Sequence, residues 1–174
     1  MKKKIVIMGV AGCGKTTVGE KLAEATGFRF IDGDALHPAA NIDKMTRGIP
    51  LDDADRWPWL DQVGGALAAS EGSLIIGCSA LKRAYRDRIR SRAGKDTTFV
   101  HLSGSRALIG ERMRSREGHF MPESLLDSQF AALEVPGADE DAVTVDIGSP
   151  LPETVAMLAR RFLGNPAVPK RGAG

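Results

Sequence analysis

Little in this chain of 174 residues points to an oxidising or metal-built protein. Two cysteines, Cys13 in a glycine-rich loop and Cys78 at the end of an apolar run, are too separated in role to form a disulfide framework. Reduced thiols and a cytoplasmic location are therefore expected. The three histidines, His37, His101 and His119, show no zinc-ligand spacing with either cysteine. No segment approaches the roughly 20 apolar residues of a membrane span. A net charge of +2, with Lys and Arg scattered along the chain, leaves no basic footprint for nucleic acid. Met1-Lys2-Lys3-Lys4 ahead of Ile5–Val10 and Cys13 imitates an export signal, but an apolar core needs about 7–15 residues. This stretch is shorter and already contains Gly9. With membrane, nucleic acid and a resident metal set aside, the length fits one domain acting on a small anionic ligand.

What the chain does carry is Gly9-Val10-Ala11-Gly12-Cys13-Gly14-Lys15-Thr16, the pattern G-x-x-x-x-G-K-[ST], directly after the apolar run Ile5–Met8. Small residues let such a loop wrap phosphates, with backbone N–H groups pointing inward at the start of the next helix. Lys15 supplies a point charge for the β- and γ-phosphates, and the Thr16 hydroxyl is placed to ligate the Mg²⁺ that travels with ATP. Gly9 through Thr17 form the expected nucleotide-binding segment. Cys13 sits among these N–H groups and near Lys15, surroundings that predict a lowered thiol pKa and a reactive thiolate.

The rest of the chain alternates strands with helices, the pattern of an α/β fold. Strands are expected at 5–8, 28–31, 73–78, 97–102 and 143–147, giving a five-stranded parallel sheet with helices on both faces. Helices are expected over 16–26, from Pro58 to about Ser70, from Leu81 onward, over 106–116 and over 152–163. The arginines of the helix after Leu81 read as mostly solvated. The last strand belongs at the sheet edge, and the tail from Gly164 to Gly174 reads as frayed.

Absences narrow the class of phosphate-loop protein. No Asn-Lys-x-Asp guanine reader occurs, and the third strand ends in Ser79 instead of the acid of a motor-type ATPase. Asp32-Gly33-Asp34 follows the second strand, and in a parallel sheet that end shares a rim with the phosphate loop. One carboxylate, Asp32, suits the hydration shell of Mg²⁺; the other, Asp34, suits proton removal from an attacking hydroxyl. A capped Asp-Gly turn is the alternative reading of the same residues.

Asp32-Gly33-Asp34-x-x-His37-Pro38, Asn41-Ile42-x-Lys44-Met45, Gly48-x-Pro50-Leu51 and Asp53-x-Asp55-Arg56-x-Pro58-Trp59-Leu60 form a long, unusual series. Cys78-Ser79-Ala80-Leu81-Lys82-x-x-Tyr85-Arg86-Asp87 continues it, and so does Gly118-His119-Phe120-Met121-Pro122-x-x-Leu125-Leu126-x-Ser128-Gln129-Phe130-x-x-Leu133-Glu134. Together these segments resemble the small, phosphate-loop gluconate kinases from about residue 5 to 163. The resemblance implies transfer of the ATP γ-phosphoryl to the 6-hydroxyl of D-gluconate. It also implies a nucleoside-monophosphate-kinase-like fold similar to shikimate and adenylate kinases, and a homodimer. Residues 35–70 would be the substrate-binding helical region of a single kinase domain, and 117–136 its lid.

Gluconate needs a cation for its carboxylate and polar groups for its hydroxyls. Arg56 occupies the place of the acid-binding arginine in shikimate kinases and can grip a carboxylate bidentately; a surface arginine at a helix start is the alternative. His37, Arg47 and Lys82 are further candidates for the acceptor. Arg112 and Arg116 share a helix face leading into the lid, one to reach the phosphates and the other adenine. Arg116 is the candidate for the transferred group and Arg112 for the nucleotide. His119 and Gln129 either touch substrate or fix the closed lid.

Overall fold

The sheet is organised by alternation along its central strand. In the computed structural model, which describes residues 1–115 and 123–164, β1 spans Lys4–Met8 and is buried from Ile5 onward. Successive side chains of a strand point to opposite faces. Ile5 and Ile7 therefore join one core, and Val6 and Met8 the other.

β1 is followed by α1 (Lys15–Thr26), β2 (Arg29–Asp32), a 3-10 turn (Gly33–Leu36), α2 (Ala39–Thr46) and α3 (Asp53–Ala69). Then come β3 (Leu74–Gly77), α4 (Arg83–Ala93), β4 (Thr97–Ser103), α5 (Arg106–Arg114), α6 (Glu123–Ala132), β5 (Ala142–Asp146) and α7 (Leu151–Leu163). The five strands lie in the order β2-β3-β1-β4-β5, all parallel. Val18 and Leu22 of α1, Ile109 of α5 and Leu158 and Phe162 of α7 cover one face. Trp59, Leu60, Val63 and Leu67 of α3, with Tyr85 and Ile89 of α4, cover the other. The architecture expected from the alternating pattern is present, with β5 at the edge.

One local expectation needs correction. The helix expected to open at Pro58 begins five residues earlier, at Asp53. Asp52 accepts from the Asp55 N–H (2.8 Å) while Asp55 Oδ2 accepts from the Asp52 N–H (3.0 Å), a reciprocal capping box. That nucleus carries the helix through Pro58 despite the bond which proline's missing N–H forfeits. It also places Arg56 in the first turns of α3, beside the cleft. Most of the α4 arginines are solvated as expected, Arg83, Arg88 and Arg92 keeping 46, 41 and 56% side-chain exposure, but two are not. Arg86 is completely buried, and Arg90 retains only 14% side-chain exposure.

The weakly patterned stretch after β2 folds as the 3-10 turn and α2, and the described part of the expected lid is α6. Arg116, His119 and most of the terminal tail lie outside the described residues.

Candidate active site

The C-terminal ends of β1, β2 and β3 open on one rim, where the glycine-rich loop leads into α1. Gly14 caps α1 with φ +98° and Gly12 has φ +78°, left-handed conformations that glycine adopts without a Cβ clash. A Cβ on Gly12 would stand 2.5 Å from Met113, so α5 packs against the loop itself. Lys15 Nζ donates to the carbonyls of Gly9 (2.9 Å) and Val10 (3.1 Å), holding its charge across the loop mouth. The first-turn N–H groups of α1 have no partner within the helix and form an anion site.

This loop forms one wall of a cavity of about 440 Å³ that also collects Thr16, Thr17, Asp32, Asp34, His37, Arg56, Trp59, Ser79 and Gln129. Asp32 Oδ1 accepts from the Asp34 N–H at 3.0 Å, so the capped Asp-Gly turn is real. Both residues also line the cavity that the phosphate loop walls, so the two readings are compatible. Burial, and then the charge of Asp32, push the Asp34 carboxyl above the usual range, while His37 and Lys15 pull it back less strongly. Such a carboxylate is a stronger proton acceptor than a free one.

His37 stacks on Trp59 with ring centroids 4.1 Å apart, and Trp59 Nε1 donates to the Gly33 carbonyl at 2.8 Å. Asn41 Nδ2 donates to the Asp55 carbonyl at 2.9 Å and meets His37 Nδ1 at 3.2 Å. His37 Nδ1 is then the acceptor, which leaves the ring proton on Nε2. Burial is the largest influence on this ring and lowers its pKa; Asp34 opposes that and Arg56 adds to it. His37 is thus a neutral hydrogen-bond donor at neutral pH.

A second cavity, of about 540 Å³, shares Met45, Leu51, Arg56, Ser79, Leu125 and Gln129 with the first and adds Lys82 and Tyr85. The Arg56 guanidinium and the Lys82 ammonium lie 5.6 and 5.5 Å from the centre of the Tyr85 ring. Tyr85 donates to Asp53, and Lys82 Nζ lies 3.5 Å from the same carboxylate. Arg56 Nη1 also donates to the Leu51 carbonyl at 2.7 Å. The result is a cationic end wall around one aromatic ring, with Asp34 and the phosphate loop at the other end of the continuous space. Tyr85 and Asp53 stand in the sequence motifs, but the sequence assigns neither a role.

A third cavity, of about 350 Å³, lies behind the loop and is lined by Gly12, Cys13, Thr17, Arg112, Ser149 and Thr154 among others. Arg112 Nη2 donates to the Ile147 carbonyl at 2.8 Å. Arg112 is therefore set apart from the two cavities that Arg56 borders.

Gln129 of α6 accepts from the Ala11 N–H at 2.6 Å, tying that helix to the phosphate loop. Arg47 is not brought to the cleft: it is exposed at the end of α2 and pairs with Asp43 at 3.3 Å. The expected reactive thiolate at Cys13 is also corrected. The residue is only 1% exposed, and burial raises its thiol pKa more strongly than Lys15 and the loop N–H groups lower it.

Among the described residues no group of three or more His, Cys, Asp or Glu side chains could hold a metal by itself. The Thr16 hydroxyl and the Asp32 and Asp34 carboxylates nevertheless border one cavity. Hard oxygen donors of that kind suit a Mg²⁺ ion that arrives with nucleotide phosphates.

A family model described as an AAA domain matches residues 5–136. Over 157 residues the chain is 49% identical to the gluconokinase of Gluconobacter oxydans (strain 621H), covering 87% of this chain and 85% of that protein. It superimposes on the crystal structure of a gluconokinase from Sinorhizobium meliloti 1021 with TM-score 0.82 and 49% identity, covering 94% and 98% of the two chains. Shikimate kinase from Acinetobacter baumannii in complex with shikimate gives TM-score 0.57 at 16% identity over 97% of each chain, a likeness of fold alone. A phosphate loop facing paired aspartates, set in this sheet order and matched at this identity over most of both chains, places the protein in the gluconokinase family.

Proposed function

We propose that the chain transfers the γ-phosphoryl group of ATP to the 6-hydroxyl of D-gluconate, in the cytoplasm. The observation that carries this reading is the continuous acceptor space with a carboxylate pair at one end and Arg56 and Lys82 at the other. A linear sugar acid has matching chemistry: a hydroxyl to be phosphorylated at one end, a carboxylate at the other, and hydroxyls between.

Lys15 and the loop N–H groups hold the β- and γ-phosphates, and the nucleoside lies in the cavity bordered by Arg112. Arg56 takes the gluconate carboxylate, with Lys82 as the second cation of that wall and Tyr85 as its floor. The neutral His37 donates its Nε2–H to a hydroxyl of the chain. Asp34 accepts the 6-hydroxyl proton as that oxygen bonds to the γ-phosphorus. The bond to the β,γ-bridging oxygen breaks, and its electron pair leaves on ADP. Thr16 and Asp32 would hold Mg²⁺, which neutralises charge on the phosphate oxygens when bound. Residues 35–70 serve the acceptor and 117–136 act as the lid, in which Gln129 reaches the loop; Arg116, just ahead of the lid, serves the transferred phosphoryl group, and His119 serves the lid.

Release of ADP, followed by a coupled assay with D-gluconate, shikimate and AMP side by side, tests the reading. Turnover with D-gluconate alone is expected. Turnover with shikimate or AMP in its place would overturn the acceptor assignment.

A further inference from the structure

We propose that Arg86 and Glu140 are positioning residues for the acceptor: buried together, they hold the Ser79–Lys82 loop in the conformation that lines the cleft. The proposal rests on the acceptor space described above, since Ser79 borders both of its cavities and Lys82 the outer one.

Arg86 has no exposed surface, and the Glu140 side chain keeps 2%. Arg86 Nε and Nη2 meet Glu140 Oε1 and Oε2 at 2.8 and 3.0 Å, a two-pronged pair. Arg90 Nη1 reaches Glu140 Oε1 at 2.9 Å, and the Gly137 N–H reaches Oε2 at 3.0 Å. The remaining prong of Arg86, Nη1, donates to the carbonyls of Ala80 (2.9 Å) and Leu81 (3.1 Å). Ala80 is the only non-glycine among the described residues with a positive φ, +43°. A residue with a Cβ stays there only when its surroundings over-determine the conformation.

The same loop is tied at both ends. The Ser79 carbonyl accepts from the Gly9 N–H at 3.2 Å, and the Leu81 carbonyl accepts from the Glu134 N–H at 2.8 Å. Glu134 Oε1 then takes the Arg83 N–H at the start of α4. Packed apolar residues often stabilise a fold at least as well as a buried ion pair. They could not satisfy two main-chain carbonyls and an anion from one planar group. That geometry explains why an arginine is buried here: it fixes backbone that faces substrate, without touching substrate.

Arg86→Lys tests this, because an ammonium keeps the charge but cannot bridge the carboxylate and both carbonyls. The KM for D-gluconate should rise about ten- to a hundredfold, the cost of a small misplacement of binding groups. AMP-PNP should bind within about twofold of the parent, since the nucleotide contacts are elsewhere. Backbone amide hydrogen exchange in 79–82 should speed up in the free protein, while that in 12–16 stays at the parental rate. A lowered melting temperature with parental KM and parental exchange in 79–82 would reduce the pair to a structural one and overturn the proposal. Should Arg86→Lys fail to fold, Glu140→Gln, which removes the anion and keeps the shape, carries the same expectations. A parent protein inactive on D-gluconate would sink the substrate reading, and the exchange result would then decide this proposal by itself.

Discussion

Replacing Asp34 with asparagine removes one charge and one proton acceptor from the cleft while keeping the side chain's size. Burial and the neighbouring Asp32 hold this carboxyl above its ordinary range. The feature that strengthens it as a base therefore makes its charge unfavourable in the folded chain. Between the unfolded pKa of about 4 and the raised folded one, the folded state binds more protons than the unfolded state. Stability contributed at this site thus falls as pH rises through that window and stays reduced at neutral pH. Asp34→Asn should then melt no lower than the parent at neutral pH, and its advantage should shrink as the pH is lowered. Turnover moves the other way. Loss of a positioned base lowers kcat by about 10²–10⁴-fold, or about 3–5 kcal/mol of barrier. The dissociation constant for ATP should change little. Coupled ADP release at saturating ATP and D-gluconate, with thermal melts across pH on the same samples, measures both arms. A kcat within about tenfold of the parent together with weakened ATP binding would make Asp34 a metal-shell residue and pass the base to Asp32. A melting temperature well below the parent's would refute the charge argument separately.

Lys15→Ala should abolish turnover while leaving circular dichroism and melting near the parent's, because among the described residues the ammonium bonds only to carbonyls of its own loop and a thiol; near-parental kcat in a folded variant would overturn the phosphate-loop assignment. Arg56→Lys should raise the KM for D-gluconate about tenfold or more with the KM for ATP unchanged, through loss of one charge-assisted bond. The reverse pattern would move Arg56 to the nucleotide side. Iodoacetamide should label neither cysteine in the native protein, since burial raises the Cys13 thiol and pushes Cys78 up to about 12. Mass spectrometry showing rapid native labelling of Cys13 that Mg·ATP prevents would restore the reactive thiolate.

The parts of the site legible in the sequence are those whose chemistry is local. The phosphate loop is eight consecutive residues, and Asp32 and Asp34 belong to one turn that any parallel sheet delivers to the same rim. The start of α3 is equally local, but there the Asp52–Asp55 capping box outweighs the boundary signal of Pro58. Cys13 departs from its sequence reading for a different reason. Its neighbours in sequence are N–H groups and a lysine, but its side chain enters the core that α1, α5 and α7 build against the sheet. Arg86 stands in a motif, but nothing local marks it as buried, since it is one of five arginines on α4. Its partner Glu140 lies 54 residues on, two residues before β5 begins. Only the pairing of β5 with β4, the strand that follows α4, closes that distance. The groups that meet phosphate and acceptor could therefore be read one motif at a time, whereas the pair that sets the backbone between them exists only once the sheet edge has formed.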